Sequence, residues 1–583
     1  MADDAAYSGI HSRLTREQVA EIEIGQTTVS RPVRMALVAA FLVTAVSVPL
    51  IQHAIEIRAG FKTTGHAVWP EAYAVVNFPH HAWEAFNDPA VHGLWLKIQA
   101  ANSCFLRDVK SYEKGLEDDS FIARSAIPPM QAFTAKYLGL GNEQVYLGRD
   151  GWLFYQPEVG YLSGEGFLSP DFLRARARKG HVGEEQQPDP LKAIVDFRDQ
   201  LKARGIELLL LPAPVKPMIE PEHLSSRYHP PLPIPLQNPS YAAFLRALDA
   251  DGVNYLDVSE LLAAEKKRTG HAQYLLTDTH WTPQAMELAA AQVAKKIQGL
   301  GLSGGNPLHL VRSETAVTNM GDIANMLKLP PSFSALYPQQ SVLIHPVSQA
   351  DGSPWAADPT ADILILGDSF SNIYSLEGMG WGKSAGLAEQ LSYDLHQPID
   401  AIRRNDAGAH ATREMLARDL AQGHDRLTGK RLVIWEFAMR ELSVGDWKII
   451  PLPHVQVAAA KPAADVFYAP PDKSAPVRVT ATVDSVSKFP KPGSVPYKDH
   501  IFAVFLTDVS GQGVPPGSQA VVYLWSMQNN ILTQASGWKA GDHVTLDLKS
   551  WGDVSEEYDR FNRSELDDEK LQLEPPCWGA PVK

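Results

Sequence analysis

The chain has 583 residues, of which 45% are hydrophobic, and a formal net charge of −14 at neutral pH. That length supports two or three domains with complete cores, so a single enzyme domain does not account for the whole chain. The negative total, with no segment in which Lys and Arg cluster, argues against a nucleic-acid partner. Any other anionic polymer would need a local basic groove despite this total.

The first predicted element is an apolar segment near the N-terminus. Met35 to Ile51 (MALVAAFLVTAVSVPLI) carries no charge, and Arg31 and Arg34 precede it. The pattern predicts a cytoplasmic tail over residues 1–34, a transmembrane signal anchor over 35–57, and export of the rest. A cleaved signal peptide is the alternative. A long polar stretch before the apolar run and the lack of a small-residue cleavage site favour a retained anchor.

Residues 58–140 contain aromatic and helical patterns without catalytic residues, and we interpret them as a connector with helices. Cys104 lies in this connector and Cys577 near the C-terminus. Both fall in the part predicted to be exported, where a disulfide is permitted. The sequence leaves open whether they pair or stay reduced.

Residues 141–450 alternate between helical patterns and short apolar runs. Leu191 to Ala203 has helical periodicity, Ile206 to Leu211 is an apolar run, and Arg431 to Trp435 (RLVIW) is another. Thr282 before Pro283 marks the start of a further helix. Such alternation predicts an α/β domain with a doubly wound parallel sheet.

Two polar clusters in this region supply a Ser, a His and an Asp. ADILILGDSFS, Ala361 to Ser371, predicts a buried strand that ends at Gly-Asp-Ser, which places Ser369 at a strand-to-helix turn. In TDTHWT, Asp278 and His280 point to the same side of an extended chain, so the carboxylate can orient the imidazole. We therefore predict a triad in which Ser369 is the nucleophile, His280 the general base, and Asp278 the group that fixes the His280 tautomer.

Each cluster alone has a plainer interpretation. Gly-Asp-Ser after a strand is often an ordinary turn with a helix cap, and Asp-x-His is as often a metal ligand pair or a loop with satisfied hydrogen bonds. A metal site would need further ligands nearby. The nearest histidine, His271, lies in a different local context, so we predict neither a metal nor a cofactor.

Ligands of open α/β sheets gather at the carboxyl ends of strands, and this rule selects further candidates. Possible cations for substrate binding are Lys216, Arg403, Arg404, Arg413 and Arg440. Tyr374 and Trp381 are candidates for contact with a sugar ring, and Trp435 is a further substrate-binding candidate because it ends a strand. Asn372 and Asn405 are candidates for an oxyanion hole beside the Ser369 amide. Each has an alternative role, which is a surface charge or structural ion pair for the cations and core packing for the aromatic residues.

Past Pro451 the composition changes. Residues 451–475 are rich in Pro and Ala and are interpreted as a linker or a strand lying across the surface. Residues 476–583 then show short alternating strands separated by Pro and Gly turns, which predicts a small C-terminal all-β domain, OB-like or carbohydrate-binding-module-like. Two interpretations of the tryptophans in this domain stay open, which are core packing and sugar binding. The residues are Trp525, Trp538, Trp551 and Trp578.

Several blocks together resemble a known family. They are VYLGRDGWLFYQPE, YLLTDTHWTPQAMELAA, GDIANML, ILILGDSFSNIYS, WGKSAGLAEQLS and VIWEFAMREL. In this order they resemble the AlgX/AlgJ group of SGNH-hydrolase-like proteins, which O-acetylate bacterial exopolysaccharides such as alginate. The resemblance covers roughly residues 140 to 450. The family's order, in which Asp-x-His precedes the serine, matches positions 278, 280 and 369, whereas its Asn-containing block is not legible here.

The resemblance implies a membrane-anchored O-acetyltransferase, single-pass in the inner membrane with its catalytic domain in the periplasm. It would transfer acetyl through an acetyl-serine intermediate to a hydroxyl of an exported polysaccharide. A membrane-bound O-acyltransferase of the AlgI kind would supply the acetyl group. A carbohydrate acetylesterase with the same triad and a non-catalytic polysaccharide-binding or assembly subunit are the alternatives.

Overall fold

The computed structural model describes residues 30–64, 71–87, 93–178, 186–228, 234–302, 307–405, 408–421, 423–453, 467–490, 492, 495, 497–558, 561–566, 569–572 and 574–582. Most of the predicted cytoplasmic tail, and residues 454–466 of the predicted linker, lie outside the described residues. The chain divides into two units, Met1–Ile127 and Pro128–Lys583. The predicted domain limits remain a prediction.

The described part of the first unit is helical. Its helices are α1 (Arg31–Thr64), α2 (Phe78–Phe86), α3 (Leu94–Asp119) and α4 (Phe121–Phe133), the last of which crosses into the second unit. Within α1, Arg31–Arg58 contains an 18-residue window with a mean hydropathy of 2.1, and α1 is the one helix of the described residues that is long and apolar enough to cross a membrane. Helices α2 and α3 pack through Phe78, whose ring meets that of Tyr112 edge to face at 5.5 Å.

The second unit begins with an α/β region. Its strands are β1 (Val145–Leu147), β2 (Leu153–Tyr155), β3 (Glu207–Ala213), β4 (Asn254–Tyr255), β5 (Leu310–Arg312), β6 (Thr315–Asn319), β7 (Gln340–Ile344), β8 (Val347–Gln349), β9 (Ile363–Gly367), β10 (Asp400–Arg403) and β11 (Leu432–Ala438). Its helices are α5 (Gln156–Ser163), α6 (Pro170–Ala177), α7 (Pro190–Lys202), α8 (Lys216–Ile219), α9 (Pro221–Leu224), α10 (Tyr241–Ala250), α11 (Ser259–Thr269), α12 (Pro283–Gly299), α13 (Asp322–Met326), α14 (Ser369–Asn372), α15 (Leu387–Leu395), α16 (Ala411–Ala421) and α17 (Glu441–Val444).

The main sheet of the described residues has the order β10, β9, β11, β3, β4, and all neighbouring strands are parallel. All residues of β9 and β11 are buried, which explains why these segments, apart from Glu436 in β11, are apolar without alternation. Each fully buried Leu or Ile there contributes about 1.5–3 kcal/mol. Because the strands run in parallel, their carboxyl ends share one edge, where Ser369 follows β9 and Arg440 follows β11.

The helices that hold this edge have clear sequence signals. Thr282 caps α12 by accepting a hydrogen bond from the Ala285 amide, and Pro283 occupies the first turn. Asp189 caps α7 in the same way by accepting from the Leu191 amide. The buried side of α12 includes Met286, Ala289, Val293 and Ile297, as its helical spacing requires. The helix thereby fixes the TDTHWT loop that precedes it.

The C-terminal region is a β-barrel. Its strands are β12 (Val477–Val486), β13 (His500–Gly511), β14 (Ser518–Gln528), β15 (Ile531–Leu532), β16 (His543–Ser550), β17 (Arg563–Ser564) and β18 (Pro576–Pro581), with two short helices, α18 (Ser555–Tyr558) and α19 (Glu569–Gln572). The pairings β12–β13, β13–β14, β14–β18, β18–β16 and β16–β12 close a ring, in which β14 and β18 run in parallel.

The tryptophans of the barrel pack against other aromatic side chains. Trp525 meets Trp578 edge to face at 5.6 Å, and Trp551 lies 6.3 Å from Trp578. Trp578 is buried and the other two are half-buried. Trp538 packs against a second cluster of the barrel core. This placement accounts for their number through packing, and a role in sugar binding remains a prediction.

A charged cluster joins the barrel to the α/β region. The Glu565 carboxylate accepts hydrogen bonds from Arg418 Nη1 of α16 at 2.6 Å and from Arg563 Nε at 3.0 Å. It also accepts a hydrogen bond from the Tyr523 hydroxyl. Burial alone would raise the pKa of Glu565, but Arg418, Arg563 and Arg404 outweigh it and lower that pKa to about 2. The ion pairs therefore tie the two regions together most strongly while Glu565 is ionised.

Candidate active site

Ser369 lies where β9 turns into α14. Asp368 caps the turn, because its Oδ1 accepts a hydrogen bond from the Phe370 amide at 2.8 Å and its Oδ2 accepts from the Ala438 amide at 2.8 Å. A Cβ at Gly367 would overlap the Ser371 hydroxyl, so the close approach of strand and helix requires glycine. Ser369 is 4% exposed at the edge of the sheet.

A buried acid supports this turn from the neighbouring strand. Glu436 of β11 accepts a hydrogen bond from the Asp368 amide at 2.9 Å. Burial, followed by the charge of Asp368, raises the pKa of Glu436 well above its ordinary value. Glu436 was not among the site residues predicted from the sequence. The signal that could have identified it is a lone acid within the apolar run RLVIWEFA.

Asp278 and His280 form the predicted pair. His280 Nδ1 lies 2.7 Å from Asp278 Oδ1, and the His280 amide donates to the same oxygen at 3.1 Å. The other nitrogen, Nε2, is buried and has no hydrogen-bond partner among the described residues. With Nδ1 donating its proton to the carboxylate, Nε2 is left as an acceptor for a proton.

The Asp278 carboxylate is held on its second oxygen as well. Trp381 Nε1 donates to Oδ2 at 2.8 Å and the Asp322 amide donates to it at 3.0 Å. Burial works to raise the pKa of Asp278, but the hydrogen bond and charge of His280, together with Trp381, lower it. Burial lowers the pKa of His280, and the hydrogen bond and charge of Asp278 outweigh this and raise it above its ordinary value of 6.5.

Asp322 is a site residue that sequence analysis missed. Its carboxylate accepts from the Thr279 amide at 2.8 Å and from the Thr279 hydroxyl at 2.7 Å, and it lies 4.0 Å from His280 Nδ1. Burial and the charge of Asp278 raise its pKa to about 6. Gly321 before it has φ +95°, and a Cβ there would come within 2.5 Å of the Thr277 carbonyl. The signal was the Gly-Asp of GDIANML, whose partner is distant in sequence.

Asp278, His280 and Asp322 together place three potential metal-ligand atoms within 4.8 Å of one another. No such cluster was predictable from the sequence, since Asp322 is remote along the chain. Both carboxylates already accept several N–H or O–H donors, as described above. A cation would have to displace these donors, so the hydrogen-bond pattern fits an orienting carboxylate better than a metal ligand.

Ser369 and His280 open onto one cavity of about 480 Å³. The lining residues include, besides these two, Gln144, Tyr155, Gln186, Thr279, Asp322, Asp368, Met379, Arg440, Glu441 and Asp446. Arg440 is the predicted substrate-binding residue that reaches this cavity. Its Nη1 lies 3.1 Å from Oε1 of the buried Glu158. Burial raises the pKa of Glu158 to about 7, although the positive charge of Arg440 acts to lower it.

Other predicted binding residues have structural contacts instead. Lys216 is fully buried and donates to the carbonyls of Leu153, Leu276 and Asp278, so it holds the backbone behind the pair. The Tyr374 hydroxyl donates to the Trp281 carbonyl at 2.7 Å. Arg413 donates to the Lys448 carbonyl, and its guanidinium lies 4.5 Å from the ring centre of the buried Trp435. These positions are not among the residues that line the cavity.

The two predicted oxyanion residues contact each other. Asn372 Nδ2 donates to Asn405 Oδ1 at 3.1 Å, and both side chains are buried. Asn405 Nδ2 faces the sulfur of Met379, a cavity-lining residue, at 3.4 Å. Arg403 is paired with Glu389 at 3.1 Å and is buried. Asn405 does not line the cavity itself but contacts Met379, which does.

Comparisons with known proteins agree with this architecture. The model of the family described as SGNH hydrolase-like domain, acetyltransferase AlgX, matches residues 145–439. The chain is 28% identical over 343 residues to the probable alginate O-acetylase AlgJ of Pseudomonas syringae pv. tomato, across 57% of this chain and 78% of that protein. It is 29% identical over 301 residues to the probable alginate O-acetylase AlgJ of Pseudomonas fluorescens, across 50% of this chain and 70% of that protein.

Two solved structures are also similar. The O-acetyltransferase domain of Pseudomonas putida AlgJ matches 51% of this chain and 92% of its own, with 22% identity and a TM-score of 0.38. Pseudomonas aeruginosa AlgX matches 72% of this chain and 95% of its own, with 17% identity and a TM-score of 0.40. The family match itself spans just over half of the 583 residues. The chain therefore belongs to the family of SGNH hydrolase-like domains described as acetyltransferase AlgX, and it is an O-acetyltransferase.

Proposed function

We propose that this O-acetyltransferase acts on a polysaccharide, with Ser369 as nucleophile, His280 as general base and Asp278 as the residue that orients His280. One observation carries the proposal. His280 Nε2 is buried, has no partner among the described residues, and shares a cavity with Ser369. An imidazole held at Nδ1 by a carboxylate and open at Nε2 is arranged to take a proton from a hydroxyl.

The reaction consists of two acyl transfers. Ser369 Oγ attacks the carbonyl carbon of the acetyl donor while its proton passes to His280 Nε2, and the leaving group departs with that proton. A sugar hydroxyl then gives its proton to Nε2, attacks the acetyl carbon, and releases Ser369, which recovers its proton. Asp278 stabilises the imidazolium in both halves. The Ser369 amide and Asn405 are our candidates for binding the oxyanion.

The experiment that tests this function measures where the acetyl group goes. The purified full-length protein is given p-nitrophenyl acetate and an oligosaccharide, and acetylated sugar and free acetate are quantified. We expect acetylated sugar from the wild type, and none from Ser369→Ala. Ser392→Ala serves as a control, because Ser392 is also a buried serine but does not line the cavity. Release of acetate alone, whatever sugar is offered, would identify an acetylesterase instead.

We further propose that α1 is a single-pass anchor in the inner membrane and that the catalytic region faces the periplasm. Support comes from the apolar length of α1 and from Arg31 and Arg34 at its start. Acetyl-CoA is cytoplasmic, so a membrane-bound O-acyltransferase of the AlgI kind is the proposed acetyl supplier. A reporter enzyme that works only after export should be active when it is fused after residue 60. Activity of a cytoplasmic reporter fused at the same position would contradict this topology.

We also propose that the C-terminal barrel is OB-like. The order of its closed ring, with the third and fifth long strands β14 and β18 in parallel, supports a five-stranded Greek-key barrel of this kind. Val495, in the loop between β12 and β13, lines the cavity beside Ser369. The barrel thus adds a residue to the wall of the proposed active site. Removal of the barrel should therefore lower the rate of acetyl transfer to a polymeric acceptor.

A further inference from the structure

The helical connector that follows α1 packs against α1 itself. The Phe121 amide at the start of α4 donates to Gln52 Oε1 of α1 at 2.9 Å. The Tyr73 ring meets the ring of His53 in α1 edge to face at 5.0 Å, and Tyr73 belongs to a 3₁₀ turn, Glu71–Asn77, that leads into α2. The connector therefore rests on α1 at the point where its uncharged apolar run ends.

These contacts lie at the depth of the membrane interface. With Arg34 at the cytoplasmic headgroups, Gln52 lies about 27 Å further along the helix, at a rise of about 1.5 Å per residue. The hydrocarbon core is about 30 Å thick, so Gln52 and His53 lie where the core meets the periplasmic headgroups. Glu56 and Arg58 follow as the first charged residues after Arg34. Segments that pack sideways on Gln52 and His53 therefore meet lipid as well as water.

Helices α2 and α3 form an antiparallel hairpin that begins at this depth. The ring of Phe78, at the start of α2, packs on Tyr112 in the second half of α3. Lys97 Nζ, near the start of α3, lies 6.0 Å from the ring centre of Phe86, at the end of α2. The start of α2 and the end of α3 thus form the base of the hairpin, beside the turn that carries Tyr73.

The two halves of α3 differ in polarity. The second half, RDVKSYEKGLEDD, is rich in charge and lies toward the base of the hairpin. The first half, LWLKIQAANSCFL, has Lys97 as its one charged residue and lies away from the base. A hairpin that projected from the membrane into water would place its apolar end outermost, which is unfavourable.

This apolar end leaves large side chains uncovered. Trp83 is 63% exposed, and Leu94 and Trp95 are 69% exposed each. Trp95, Ile98 and Leu106 are exposed on one side of α3, at helical spacing. Monomeric proteins rarely leave such a group in water. Tryptophan is enriched at membrane interfaces, because its ring is apolar while its N–H group is polar.

We infer that α2 and α3 lie along the periplasmic membrane surface, with their exposed apolar side chains among the lipids, as a second membrane contact beside α1. The inference rests on the proposed anchor and its orientation. Lipid is the favoured occupant of this apolar surface because the base of the hairpin already lies at the level of the headgroups. Helices with one apolar side bind in this way, in the plane of the interface.

Lipid contact can be measured by photolabelling of the full-length wild type. The protein is reconstituted in vesicles of phosphatidylethanolamine and phosphatidylglycerol that contain a phospholipid with a diazirine near the glycerol end of its acyl chain. After irradiation and digestion, mass spectrometry locates the lipid adducts. We expect adducts on α1, on Phe78–Phe86 and on residues 94–106. The control is the peptide with Ile531 of β15, which is 69% exposed like Trp95 and should carry no adduct.

Two variants test whether the apolar side chains hold the hairpin at the membrane. Trp95→Glu should lower labelling of residues 94–106 by about threefold or more, because interfacial binding scales with buried apolar area. Trp95→Leu stays apolar and should keep most of the labelling. Labelling of α1 should not change in either variant. Turnover of p-nitrophenyl acetate should also be unchanged, since Trp95 does not line the cavity.

Two results would overturn the inference while leaving the anchor intact. Adducts on α1 alone would show that the exposed side chains serve a protein partner or face water. Equal labelling of residues 94–106 in the wild type and Trp95→Glu would show that the apolar surface does not hold the hairpin. Failure of the anchor looks different, because α1 itself would then carry no adduct, and the inference would fall with it. Acetyl transfer is not part of the labelling, so the proposed reaction holds or fails separately.

Discussion

Replacement of Asp278 by Asn tests the division of roles in the site. An amide keeps the shape of the side chain but presents one oxygen and one NH₂ group. With its oxygen toward the donors Trp381 Nε1 and the Asp322 amide, at 2.8 and 3.0 Å, its NH₂ group faces His280. Nδ1 must then accept, the proton moves to Nε2, and the base cannot take a proton from Ser369.

The expected loss is large. A triad with the wrong imidazole tautomer loses about 10⁴-fold in kcat. That factor corresponds to about 5.5 kcal/mol of transition-state stabilisation. The measurement is the rate of p-nitrophenyl acetate turnover as a function of pH, for the wild type, Asp278→Asn, and the helix-cap control Asp189→Asn. A thermal unfolding curve for each variant confirms that the fold is retained.

The pH profile adds a second signature. The base must be neutral, so wild-type activity rises as pH increases through the pKa of His280, which lies above 6.5. In Asp278→Asn the raising effects of Asp278 are gone while burial still lowers the pKa of His280. The residual activity should therefore rise at a lower pH than in the wild type. A loss below about tenfold, with an unmoved acidic limb, would refute the orienting role of Asp278.

Three further outcomes are expected. Trp381→Phe removes one hydrogen bond to ionised Asp278, worth about 1.5–3 kcal/mol, and should lower kcat by about tenfold or more; an unchanged kcat would show that this bond does not matter. Gly321→Ala should abolish most turnover because its Cβ meets the Thr277–Asp278 segment, whereas Gly270→Ala, with a similar positive φ and open space, should only lower the melting temperature. Glu565→Gln should cost about 3 kcal/mol of unfolding free energy at neutral pH, since the folded pKa of about 2 lies below the ordinary 4.5. This stabilisation is present above about pH 4.5 and lost as pH falls toward 2, so denaturation curves of the two proteins should converge in acid.

The sequence predicted the elements whose signals are local. The apolar runs at β3, β9 and β11 are strands of one parallel sheet, and Thr282-Pro283 begins α12. The Asp278–His280 contact followed from a spacing of two residues. Strong periodicity, caps and short spacing are properties that a single stretch of chain specifies by itself.

Contacts between distant segments were not predictable in the same way. Asp322 and Trp381 both hold Asp278, yet they lie 44 and 103 residues further along the chain. Lys216 was selected because it follows a strand, but its side chain turns inward to three carbonyls. The rule that ligands gather at the carboxyl ends of strands identifies candidate positions. The direction of each side chain at these positions depends on the packing around it.

The central claim, that acetyl passes through Ser369, is tested most directly by trapping the intermediate. The wild-type protein is mixed with p-nitrophenyl acetate, quenched in acid within the first turnover, digested, and analysed by mass spectrometry. We predict one added acetyl group on the peptide that contains Ser369, and its faster loss when an acceptor sugar is present. Ser369→Ala should show no acetyl on that peptide. Acetyl transfer that persists in Ser369→Ala, or a wild-type intermediate on another residue, would contradict the claim.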